Sequence, residues 1–429
     1  VRAVDGDNPA NVKSVEPVDA VSHPEKPPVA AKAEPAPSRW KNFFALDLLD
    51  NRHPSLHGLR FFAVLTVLQY HVTFIYQNES AIFMDPRWYD ASTTVFFGMD
   101  CFFFLSGFLI GAILLRSIEV AKTQNVKRFY LRRIFRTFPS YYLVLTFLAC
   151  AFPITQAQHH HLIYEYVYGT NYTTLRQDQV IMYWGWSLAL EEQFYLTVPI
   201  FVFVLNRLRS DRGRAILLVA IWLSALVVRL VYYYTHIKKY GPFTDLALYD
   251  QIYFRTKTRF DPLVAGILLA FIQHRWKEPV GRWLQRPANR ALLALPTLTC
   301  FWLLIDPLMF GPQNLQLMHL FLWGTVTSIF YMGVVLLLLH GNGWIPQFFS
   351  LPIFRKVATL GYGVYLVHIP IVYHVLVPIA RRLYYARTPM VLLWPASLAA
   401  LVLLSLAVGY VLHIFVEKPS LRMRDRMTA

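Results

Sequence analysis

Apolar runs of about 18 to 24 residues recur along most of this chain, each long enough for a helix to cross the hydrocarbon core of a bilayer. At that depth no water satisfies the backbone, so runs lacking strand alternation fold as helices that pair their own amides. Hydrophobic residues make up 56% of the 429 and charged residues 15%, against roughly 25% charged in soluble domains. The sequence therefore predicts an all-α fold, a polytopic transmembrane helical bundle. Ten spanning helices are expected, at about 59–77, 93–115, 138–155, 184–205, 215–235, 259–274, 291–310, 317–340, 357–380 and 391–416.

The net charge of +16 does not point to nucleic acid, because the basic residues collect in short connections between apolar runs. Arg116, Arg132, Arg133 and Arg136 follow the second run; Arg207, Arg209, Arg212 and Arg214 follow the fourth; Arg275, Lys277, Arg282, Arg286 and Arg290 follow the sixth. This bias makes that side cytoplasmic and places both termini there. The stretch 236–258 and the cluster Arg381, Arg382 and Arg387 depart from the pattern. Residues 1–46, rich in Ala, Pro and mixed charge, are expected to be a disordered cytoplasmic tail ahead of a transmembrane domain over 47–429. Cys101, Cys150 and Cys300 lie in apolar runs without metal-ligand spacing and read as packing residues, with no metal site.

Ionisable residues inside such helices are expensive and by default face the bundle interior. His71 lies eleven residues beyond Arg60, roughly 16 Å along a helix axis, and so near mid-bilayer. On the expected topology Asp100, Glu191, Glu192 and His368 fall at overlapping depths, with Asp261 higher, which suggests one shared polar cavity. The bland alternative is a set of separate interhelical hydrogen bonds. Glu191 and Glu192 are about 100° apart around a helix, so one is expected to face the cavity while the other fixes a neighbour. The segment Arg128–Arg136 reads first as topology signal and head-group contact with membrane lipid. A second reading is phosphate recognition by Arg133 and Arg136 joined by Arg60, since guanidinium forks match phosphate oxygens.

Six short patterns then occur in order: Gly58-Leu59-Arg60 with His71; Asp100-x-Phe-Phe-Phe-Leu-Ser106-Gly107; Phe129-Tyr130-Leu131-Arg132-Arg133-x-x-Arg136; Trp186-Ser187-Leu188-x-x-Glu191-Glu192-Gln193-Phe194-Tyr195; Gly361 to His368; and Glu417-Lys418-Pro419. Together they resemble the acyltransferase-3 family of membrane-bound O-acyltransferases over roughly 53–426. His57 stands where that family usually carries Asp, and Arg259-Phe260-Asp261 matches its pattern only loosely.

The resemblance implies a multi-pass protein of a bacterial cytoplasmic membrane that moves an acyl group, acetyl by default, from acyl-CoA to a hydroxyl. The acceptor would be a glycan, lipid-linked sugar or other small molecule, with acyl-CoA as co-substrate and no bound cofactor. His71 would be the general base, since imidazole with a pKa of about 6.5 suits neutral pH. Asp100, Glu191 or Glu192 would orient it, as the third group of a triad does. A covalent relay through Ser106 or Ser187 is the variant mechanism, although both serines read more simply as packing residues. The competing class is a transporter or flippase using the same buried groups as a proton relay. The loop 156–183, with His159, His160 and His161, is expected to form a mobile lid over the acceptor, its histidines a solvated run.

Overall fold

The computed structural model describes residues 44–121, 126–237, 249–305 and 321–428. The expected tail falls outside these up to residue 43, as do the ends of the seventh and eighth expected spans between 306 and 320. The described chain is helical. We label its main helices α1 (Ser55–Glu79), α2 (Gly98–Ala121), α3 (Val126–Ala151), α4 (Gln156–Tyr166), α5 (Trp186–Arg207), α6 (Asp211–Tyr232), α7 (Asp261–Gln285), α8 (Pro287–Ile305), α9 (Trp323–His340), α10 (Pro352–Ile371), α11 (Met390–Leu412) and α12 (Lys418–Thr428). Among the described residues nine helical stretches are long and apolar enough to cross a membrane.

The sixth expected span is the one that differs. It forms as α7, but it runs eleven residues past the anticipated end at 274, and a non-helical Trp276 (φ −129°, ψ 27°) kinks it. Its second half carries Arg275, Lys277, Glu278 and Arg282, so it is not apolar throughout. Its first half is the most enclosed stretch of the bundle, with every residue from Asp261 to Phe271 buried. That burial depends on glycine. A Cβ on Gly107 of α2 would lie 2.0 Å from the Leu263 carbonyl oxygen, and one on Gly266 of α7 2.2 Å from the Phe104 carbonyl oxygen. Two helices whose backbones touch this closely have no room for any side chain at the seam.

The helices α6 and α8 have the opposite character. Val227 and Val231 are 57% and 55% exposed, and Leu295 is 66% exposed, so these apolar faces meet lipid. Between the two extremes, α1, α2, α3, α5 and α10 surround a polar interior.

Two local features depart from the sequence reading. Residues 156–166 form a helix with a capping box: the Thr155 hydroxyl accepts from the Gln158 amide at 3.0 Å, and the Gln158 side chain accepts from the Thr155 amide at 2.7 Å. The three histidines therefore sit on a capped helix, where His161 Nδ1 meets the Gln179 carbonyl at 2.9 Å. Cys150 is exposed, unlike buried Cys101 and Cys300.

Residues 45–50 form a strap across the basic end. Lys418 donates to the Ala45 carbonyl, and Arg355 Nε donates to the Leu49 carbonyl at 2.7 Å. The Asp50 carbonyl lies 3.1 Å from His57 Nε2.

Candidate active site

At the basic end a cavity of about 620 Å³ opens between α1, α2, α3, α5 and α10, within the roughly 300–1,000 Å³ of small-molecule sites. Among its lining residues Asp50, Arg52, His53, Arg116, Arg132 and Arg136 are exposed, Arg60, Arg133, Ser106, Glu191 and Glu192 are half-buried, and Val64, Met99, Ser187 and Tyr365, which we take as its inner lining, are buried. Burial and the neighbouring Arg52 and Lys277 charges hold the His53 imidazole below its ordinary pKa, so the rim histidine adds little positive charge at neutral pH.

The helix register explains this grouping. Arg133 and Arg136 are three apart on α3 and so share a face, while Arg60 lies in the first turns of α1, at the same end. The Arg133 guanidinium sits 5.0 Å from the Tyr195 ring centroid and 5.9 Å from that of Phe129, an arrangement in which aromatic faces hold a cation. Glu191 is fixed by hydroxyls: Ser106 Oγ donates to one carboxylate oxygen at 2.9 Å and the Tyr195 hydroxyl to the other at 3.2 Å. Both Glu191 and Glu192 line the cavity. The expectation that one would face the cavity while the other fixes a neighbour is met only in part, since Glu192 lines the cavity and also bonds Thr137 of α3.

Deeper in the bundle, His71 and His368 meet. His368 Nε2 lies 3.1 Å from His71 Nδ1, with ring centroids 4.9 Å apart. His368 Nδ1 is 2.6 Å from the Tyr365 carbonyl oxygen, and His71 Nδ1 is 3.0 Å from the Val67 carbonyl oxygen. A carbonyl can only accept, so Nδ1 of His368 carries its proton and Nε2 presents a lone pair. That lone pair and the Val67 carbonyl both call for a proton on Nδ1 of His71. The remaining nitrogen, His71 Nε2, is then an unprotonated acceptor. A chain of backbone and imidazole contacts thus selects the tautomer in which His71 Nε2 is an acceptor.

Among the described residues no carboxylate bonds either imidazole. Asp100, expected beside the imidazole, pairs with Arg259 and accepts the Trp323 indole N–H at 2.9 Å, with Asp100 and Arg259 both buried. Asp261 forms a second buried pair with Arg229 at 2.9 Å. The orienting group on His71 is therefore a second histidine rather than Asp100, Glu191 or Glu192. The helical face of Asp100 turns it toward Arg259, two residues before α7, and Trp323 at the start of α9. Trp186 packs on Tyr253 and Phe254, with centroids at 5.4 and 4.8 Å. Ser187 bonds the Tyr365 hydroxyl at 2.6 Å. Tyr195 and Tyr365 were missed as site residues, although each sits one turn from a residue already singled out.

An arginine-lined pocket thus lies near a pair of bonded imidazoles inside a helical bundle. The family described as an acyltransferase domain matches residues 53–414, and the chain belongs to it. Among curated proteins, the chain is 27% identical to the peptidoglycan O-acetyltransferase OatA of Listeria monocytogenes over 350 residues, covering 74% of this chain and 49% of that protein. A Staphylococcus aureus protein provisionally named an O-acetyltransferase is 25% identical over 74% of this chain and 50% of its own length. A Bacillus subtilis protein provisionally named a peptidoglycan O-acetyltransferase is 26% identical over 74% and 48%. The chain thus spans about half the length of the curated relatives it matches. No solved structure matches it.

Proposed function

We propose that this protein is an integral-membrane O-acyltransferase that moves an acetyl group from acetyl-CoA to a hydroxyl of a glycan or lipid-linked sugar. The observation that carries the reading is the His71–His368 pair, whose contacts leave His71 Nε2 unprotonated beyond an arginine-lined cavity. The names of the relatives support a glycan acceptor. On this reading Arg60, Arg133 and Arg136 bind the phosphates of CoA, which enters from the basic, cytoplasmic end with its pantetheine directed inward. His71 Nε2 takes the proton of the acceptor hydroxyl as the oxygen attacks the thioester carbonyl. The C–S bond then breaks, and the departing sulfur receives the proton from His71.

A positioned general base contributes typically about 10²–10⁴-fold, so His71→Ala is expected to lower acetyl transfer by that factor. His368→Ala, which removes only the orienting partner, should lower kcat less and leave the KM for acetyl-CoA unchanged. Arg136→Ala should raise that KM instead. The assay is CoA release and acetyl transfer by purified protein supplied with membrane extracts as a source of acceptor. Wild-type turnover in a folded His71→Ala variant overturns the assignment.

A further inference from the structure

The cavity and the histidine pair do not share a wall that is open. Val64, Met99, Ser187 and Tyr365 form the inner lining, and neither imidazole contributes to it. His71 is nevertheless only partly buried.

Between the inner lining and the histidine pair stands a knot of hydrogen bonds. The Tyr365 hydroxyl donates to the Trp184 carbonyl at 2.7 Å, and Ser187 Oγ, 2.6 Å away, must then donate to the Tyr365 oxygen. Tyr365 is 9% exposed and Ser187 2%. The same two aromatic residues touch the histidine pair: the Tyr365 ring lies 5.2 Å and the Trp184 ring 6.5 Å from the His368 ring. Tyr365 therefore lines the cavity and holds His368 with its main-chain carbonyl.

We propose that Tyr365, latched by Ser187 and the Trp184 carbonyl, is the inner door of the donor cavity and couples thioester cleavage to acceptor acylation. The inference rests on the reading that an acyl thioester occupies the cavity. With the door shut, the thioester is held away from His71 and from water on its far side; transfer requires the Tyr365 ring to swing aside. A door that no longer latches admits water. Water then attacks the thioester carbonyl, the C–S bond breaks, and acetate and CoA thiol form without any acceptor.

Two measurements test this, and only one of them needs the acyltransferase reading. In the first, His71→Cys is placed in a chain whose three native cysteines are replaced by alanine. A small membrane-impermeant thiol reagent is then applied to sealed vesicles of each orientation. With Tyr365 intact, Cys at position 71 should react only from the side opposite the arginine-lined mouth. With Tyr365→Phe or Ser187→Ala added, labelling from the mouth side should rise roughly tenfold, the factor that one or two net hydrogen bonds are worth; the phenylalanine keeps the ring and the packing. In the second, acceptor-independent release of CoA from acetyl-CoA should rise by a similar factor in Tyr365→Phe, while transfer to acceptor falls. Mouth-side labelling already complete in the wild-type background, or unchanged by both substitutions in folded protein, overturns the door. Labelling that follows the prediction, with acetyl-CoA left intact by every variant, supports the door and overturns the acyl-CoA reading instead.

Discussion

Asp100→Asn separates architecture from chemistry. Asp100 and Arg259 are 0% and 2% exposed, and among the described residues Nε and Nη1 of Arg259 have no hydrogen-bond partner. Asparagine retains an oxygen for the Trp323 indole but withdraws the charge that Arg259 faces. Removing one member of a buried pair costs about 3–5 kcal/mol, because the other charge stays behind uncompensated. In a chain this long each kcal/mol moves the melting temperature by about 2 °C, so the variant should melt roughly 6–10 °C below the wild type. Tryptophan fluorescence of detergent-solubilised protein during heating reads this directly. The double variant Asp100→Leu with Arg259→Met, apolar on both sides, should recover more than half of the loss. An Asp100→Asn protein that melts with the wild type yet fails to transfer acetyl would refute the reasoning and return Asp100 to the reaction.

The glycine seam and the segment around α4 give two further tests. Gly107→Ala places a methyl 2.0 Å from the Leu263 carbonyl oxygen and should cost at least the upper part of the roughly 1–3 kcal/mol of overpacking. Gly213→Ala on α6, whose nearest neighbour would be Ser210 Cβ at 3.7 Å, is the control and should melt near the wild type. Glu165, fully buried, accepts the Ile181 and Met182 amides at 2.8 Å each, and burial pushes its carboxyl up to about 7 against the pull of those two bonds. The folded protein therefore keeps a proton that the unfolded chain releases above about 4.3, so this stabilisation is complete below that pH and is lost as pH rises through 7. The slope is about 1.4 kcal/mol per unit. Glu165→Gln should remove that part of the fall in melting temperature between pH 5 and 8, and an unaltered pH profile refutes it.

The helical bundle was legible because hydrocarbon leaves the backbone few options, and apolar length then marks each span. The sixth span was the hard one: its enclosed half is apolar for packing against α2, and its exposed half is charged, so composition averaged over the helix hides what the glycines at 107 and 266 make possible. Depth was also legible. Counting turns from the basic loops put His71 and His368 at one level, and the structure brings their rings together. Direction around each helix was not legible. Asp100 lies near the expected depth, but Arg259 is its partner across 159 positions, a pairing that no local pattern records. The two adjacent glutamates were judged by helical angle alone, which does not exclude that a residue lines the cavity and bonds a neighbouring helix at once, as Glu192 does. Tyr365 escaped notice because its hydroxyl and its carbonyl serve different neighbours, and a motif shows only that a tyrosine is present.

The backbone contact between α2 and α7 also has a mechanical meaning. Two rods that touch along bare backbone can neither slide nor rock without collision, so this pair behaves as the stator of the molecule. On α10, by contrast, Pro370 and the π-helical turn Val372–Leu376 directly follow His368, interrupting the regular ladder of backbone bonds. The interruption falls at the end of the helix that carries both Tyr365 and His368. A substitution that stiffens this turn would slow turnover while raising the melting temperature, the signature of a bearing seized rather than a part removed.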